Sequence, residues 1–133
     1  MLKAFSAQAL IFELAHTIEL LPLTKSLRAE IGLPFLPLTD CGEIELPIGP
    51  RDVFARASSG GKLAYVEAEI FGGVGAQAHV LFQDGVKVSE ANVGQGVIND
   101  ALRFIGVVAN PGFDEFDTVG LGKHRNTEDW VPR

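Results

Sequence analysis

The residue types nearest to catalytic chemistry lie in one alternating stretch, Lys62 to Glu90, which reads KLAYVEAEIFGGVGAQAHVLFQDGVKVSE. If Ile70 sits opposite Ala76 in an antiparallel pair, Glu67 faces His79 and Glu69 faces Gln77, close enough for cross-strand hydrogen bonds. A carboxylate beside an imidazole raises its pKa and makes an acid–base couple, as a small hydrolase or transferase would use. The same pattern is what an exposed polar sheet face ordinarily shows, and the binding-surface reading is preferred. That face would display Tyr65, Glu67, Glu69 and Phe71 with Gln77, His79 and Leu81, while Ala68 and Ala78 are buried together on the other.

A second chemical cluster closes the chain. Lys123, His124 and Arg125 stand directly before Glu128 and Asp129, and the only tryptophan, Trp130, follows. Tryptophan favours a buried body with a bonded N–H, so this segment is expected to be pinned against the body, with Arg125 paired to Glu67 or Glu69. In that arrangement His124 joins Glu67 and His79 as a catalytic candidate. The same residues otherwise extend a binding surface made of Tyr65, Glu67, Glu69, Gln77, His79, Lys123, His124, Arg125, Glu128, Asp129 and Trp130.

Other signals are weaker. Gly72-Gly73-Val74-Gly75 resembles a phosphate-cradling loop, but a strand on each side makes it a hairpin turn. Gly94-Gln95-Gly96 leads into a helix without a local Lys or Arg to favour an anion. No two of the three histidines have the spacing of a metal pair, and the single Cys41 excludes an internal disulfide and a Cys-rich zinc site. No metal or cofactor is therefore expected. The lone cysteine suits a reducing, cytoplasmic setting.

With 133 residues, 47% hydrophobic and 21% charged, the chain fits one domain over 1–133 with a core of its own. A formal charge of −6 disfavours nucleic acid and suits a basic protein partner. Gln8, Glu13, His16 and Glu19 interrupt the apolar N-terminal run, so it reads as structure, neither leader peptide nor membrane span.

Several elements must position these groups. Ser6 caps an expected helix carrying Ala9, Phe12 and His16, and a period-two strand follows over Thr17–Leu21. Thr24 and Gly32 punctuate a second helix, and another runs from Arg51 to about Ala57 after Pro50. Glu43–Leu46 alternates as an edge strand. The meander at 62–90 turns at the glycines and at Asp84-Gly85, and Asn92 to Gly96 reads as a loop. Val97, Ile98, Ala101, Leu102 and Ile105 then repeat at helical spacing. A brief strand is expected over Val107–Ala109, and an acidic turn over Phe113–Asp117. Helices flanking consecutive strands indicate an α+β fold, with an antiparallel three- to five-stranded sheet and helices packed mainly on one face.

The stretches AYVEAEIFGGVGAQAHVLF, VINDALRFIGV and DEFDTVGLGKHRNTEDW resemble a group of small bacterial cytosolic proteins of uncharacterised function, over roughly Thr39 onward. GLGKHRNTEDW is the most particular part, and the resemblance implies no activity. In size and charge the chain is similar to the immunity proteins of bacterial toxin systems, which bind and block a partner. The expectation is a non-enzymatic protein-binding domain, immunity-like in character. The alternatives are a small enzyme using Glu67 and His79 with His124 and Arg125, and an oligomerisation module, such as a homodimer, pairing through the exposed sheet face.

Overall fold

The computed structural model describes residues 11–14, 18–33, 46, 48–71, 74–123 and 127–130, with positions 69–71, 74–76, 123 and 129 described in their backbone alone. Strands β1 (Phe12–Glu13) and β2 (Glu19–Leu20) pair antiparallel ahead of helices α1 (Lys25–Ile31) and α2 (Ile48–Ala57). The sheet follows as β3 (Lys62–Phe71), β4 (Val74–Gln83), β5 (Val86–Lys87) and β6 (Asn92–Val93). Helices α3 (Val97–Phe104) and α4 (Glu115–Val119) come next, then short 3-10 turns at Leu121–Lys123 and Thr127–Trp130. The class is α+β and the helices pack against the sheet, as the sequence pattern indicates.

Local chemistry accounts for most boundaries. Thr24 Oγ1 accepts from the Leu27 N–H at 3.1 Å, and Gly32 stops α1 in the left-handed conformation at φ 74°. Asp84 and Gly85 both have positive φ, as the tight hairpin between β4 and β5 requires. Ser58, fully buried, donates to Ala55 O at 2.7 Å and accepts from Gly85 N–H at 3.0 Å, so its hydroxyl fastens the end of α2 to that hairpin.

The third strand is broken by a bulge. Val86 pairs with Gln83 and Asn92 with His79, so four residues, 88–91, stand beside Val80 and Leu81. Within it the Leu81 N–H donates to Ser89 Oγ at 3.2 Å, a side chain standing in for a backbone carbonyl. Asn92 to Gly96 thus contains a strand where the sequence suggested only a loop.

The expected β3–β4 register is corrected by one residue. Ile70 stands opposite Gly75, Glu67 opposite Ala78 and Val66 opposite His79. Two residues connect Phe71 to Val74, and such a short connection fixes the pairing. The shift divides the apolar residues between two cores. Leu63, Tyr65, Ala78, Val80 and Phe82 face Phe54 and Ala57 of α2, together with Leu33 and Leu46. Val66 faces the other way, among Ile98, Leu102, Val107 and Val119. The helices therefore do not share one face: α2 covers one side of the sheet and α3 the other. Ala68 is exposed while Ala78 is buried, contrary to the expected joint burial.

Phe12 and Glu13 lie in a strand where helical spacing was expected, because the β2 alternation offers them a ladder partner. Ser6, Ala9 and His16 lie outside the described residues, as do Cys41 and positions 43–45 of the expected edge strand. Val107–Ala109 forms no strand, and α2 begins three residues earlier than expected, with Pro50 in its first turn.

Candidate functional site

Of the residues proposed from sequence, the structure draws Tyr65 and Glu67 into the interior side of the sheet. Tyr65 is buried, stacks on Phe54 with ring centroids 5.0 Å apart, and donates its hydroxyl proton to the Glu67 carboxylate. Burial, reinforced by the Glu67 hydrogen bond, pushes the phenol far above its ordinary pKa, with Arg28 acting weakly in the opposite sense. This pair is a structural contact beneath α2.

Gln77 and His79 stand on the opposite face. Gln77 Oε1 accepts from the Ile98 N–H at 3.2 Å, supplying α3 with the side-chain cap that its N-cap residue, Gly96, lacks. His79 is 4% exposed, and its Nδ1 has no hydrogen-bond partner among the described residues. Burial lowers its pKa, an effect that the Asp100 carboxylate opposes. Glu67 and His79 therefore cannot share a proton, since β3 and β4 direct them to opposite sides. This corrects the expected outward-facing Glu67–His79 pair.

The described part of the C-terminal segment is held at Glu128 and Trp130. Glu128 Oε1 accepts from the Lys25 N–H at 2.7 Å, placing a carboxylate at the first turn of α1, where the helix dipole favours it. The Trp130 ring meets Phe12 at 5.9 Å and 59°. Lys123 ends one 3-10 turn and Asp129 lies in the next, both described in backbone only, as is Glu69 in β3. His124 and Arg125, and with them the expected pairing to Glu67 or Glu69, lie outside the described residues. Among the described residues no three His, Cys, Asp or Glu side chains converge to hold a metal ion, and no helix is long and apolar enough to cross a membrane.

The surface that remains lies at the corner between α3 and α4. Val97, Ile98, Ala101 and Leu102 hold α3 on the sheet, leaving Asn99, Asp100 and Arg103 toward the corner. Asn99 Nδ2 donates to Asp114 Oδ2 at 3.2 Å, and its Oδ1 accepts from the Phe116 N–H at 2.9 Å. Asp114 caps α4 by accepting from the Asp117 N–H at 2.8 Å, and that bond chiefly holds its carboxyl below the ordinary range. Arg103 donates to Glu115 at 2.8 Å and also pairs with Asp100. Thr118 Oγ1 accepts from the Asn110 N–H at 2.9 Å, and Asn110 O accepts from the Phe113 N–H at 3.0 Å.

Within this braced corner Val108 is 72% and Phe113 63% exposed, and Asp100, Asp114 and Asp117 are exposed as well. Burying a phenylalanine stabilises a fold by roughly 1.5–3 kcal/mol, so a tightly bonded corner that leaves one in water has apolar surface available for a partner. The other large exposed hydrophobics among the described residues, Ile48, Val86, Val88 and Val93, are aliphatic side chains at the start of α2 and along the bulged edge strand. The sequence reading passed over this corner because Phe113 and Phe116 look alike there. Only Phe116 packs against the second core, and the Asn110-Pro111-Gly112 turn before Phe113 was the available signal. Comparison with protein-family models, curated proteins and solved structures gave no match to this chain.

Proposed function

We propose that this chain is a non-enzymatic protein-binding domain that docks through the α3–α4 corner. The observation that carries this reading is Phe113, an aromatic ring left 63% exposed on a connection whose backbone is fixed at both ends by side-chain hydrogen bonds. Exposed aromatic anchors on preorganised backbone supply much of the binding energy of protein interfaces, because little conformational freedom is lost on docking. The separation of Glu67 from His79 weighs against the hydrolase or transferase alternative. The burial of Tyr65 likewise weighs against self-association through the sheet face. The immunity-like reading, an inhibitor that covers a toxin or effector, is supported by the small size and acidity of the chain.

A photo-crosslinking amino acid at position 113 tests the proposal in cells, with the same group at the exposed position 86 as control. A discrete adduct of defined mass at 113 and none at 86 is the expected result. Equal labelling at both sites, or none at 113, would overturn it.

A further inference from the structure

Resting on the corner as docking surface, we infer that its partner presents an apolar pocket bordered by arginine or lysine. The corner couples two features that call for different chemistry on the other side. Val108 and Phe113 need an apolar recess. Among the described residues of the corner the exposed acidic side chains are Asp100, Asp114 and Asp117, with buried Glu115 behind them and the guanidinium of Arg103 as the described cation. That guanidinium is engaged inside the corner by both Glu115 and Asp100. Acidic side chains are thus in excess among the described residues of the corner, with the same sign as the −6 carried by the whole chain.

Asp114 remains ionised well below neutral pH because the Asp117 N–H and the Asn99 amide bond to its carboxylate. Its charge is thus a fixed property of the surface at physiological pH. An arginine on the partner satisfies both features at once, since its planar face stacks on an aromatic ring while its N–H groups bond a carboxylate. An acidic or phosphorylated partner would instead meet like charge from Asp114 and Asp117.

The test uses the full chain and a random peptide library displayed on phage, selected on the native protein and counter-selected on Phe113→Ala. Enriched peptides are expected to combine an aromatic or aliphatic centre with flanking Arg or Lys. Synthetic copies should lose at least about tenfold in affinity on Phe113→Ala, and weaken on Asp117→Asn and with added salt. Because Phe113 and Asp117 are exposed, both variants should keep the native melting profile, which serves as the folding control. Peptides without a basic excess that still require Phe113 would overturn the basic partner and leave the docking reading standing. Binding indifferent to Phe113→Ala, or no enrichment at all, would overturn both.

Discussion

Acidification below about pH 6.5 should destabilise this protein through His79. The imidazole sits between Val66 of β3 and Asn92 of β6 in the ladder, beneath α3, with 4% of its surface exposed. The charged group that acts on it from the packed elements is Asp100 of α3, which is itself paired with Arg103. β6 contributes only the neutral Asn92. Burial lowers the native pKa, so between that value and about 6.5 the unfolded chain binds a proton that the native chain does not. Stability is then full above about pH 6.5. It falls as the pH drops below that value, by at most about 1.4 kcal/mol per pH unit for one proton, and levels off below the native pKa. In a domain of this size each kcal/mol moves the melting temperature by roughly 3–5 °C. Urea midpoints measured from pH 5 to 7.5 should show this limb in the native protein and a flattened one in His79→Leu. That variant replaces the buried ring with an apolar side chain and strands no partner among the described residues. An unchanged limb in the variant, or an NMR titration giving His79 a pKa at or above 6.5, would refute the reasoning.

Three further outcomes test the packing. Phe54→Ala removes the ring that stacks on Tyr65 and meets Phe82 edge-on at 6.0 Å, and should cost about 3–5 kcal/mol by chemical denaturation. Thr24→Ala loses the α1 cap and should cost about 1 kcal/mol, with faster hydrogen exchange at the Leu27 amide. Asn99→Ala breaks its bonds to Asp114 and to the Phe116 N–H, and should cost about 1–3 kcal/mol. Its more specific signature is faster exchange confined to the corner, measured at the Phe116 amide, while the β3–β4 amides stay protected.

The sequence was most readable where one residue fixes a backbone conformation. Thr24 and Gly32 bounded α1, Asp84-Gly85 placed the hairpin, and the α3 periodicity gave its buried residues directly. Register was less readable because alternation alone admits two pairings that differ by one residue. The expected pairing optimised one buried face, and the small Ala64, Ala68, Ala76 and Ala78 made that face look complete. The β6 strand was hidden for a related reason: its pairing depends on a bulge in which Ser89 replaces a backbone acceptor, a long-range contact with no local signature.

The same one-residue shift explains why the candidate site moved. A sheet covered by helices on one face offers its other face to partners, and Tyr65, Glu67, Gln77 and His79 would then all have been surface residues. With α2 and α3 on opposite faces, each of these polar groups needs an internal task or carries an energetic penalty. Tyr65 and Glu67 satisfy one another, and Gln77 caps α3. His79 alone keeps a buried ring nitrogen without a partner among the described residues, and burial lowers its pKa, so the histidine that looked like a catalytic base lies inside the fold. The surface proposed for docking then lies at the periphery of the sheet, at the corner between α3 and α4. Asn99 illustrates the change of role: in the helical pattern it is merely an outward polar residue, yet its two bonds across the corner, to the Asp114 carboxylate and the Phe116 N–H, anchor the start of α4 directly after the exposed Phe113.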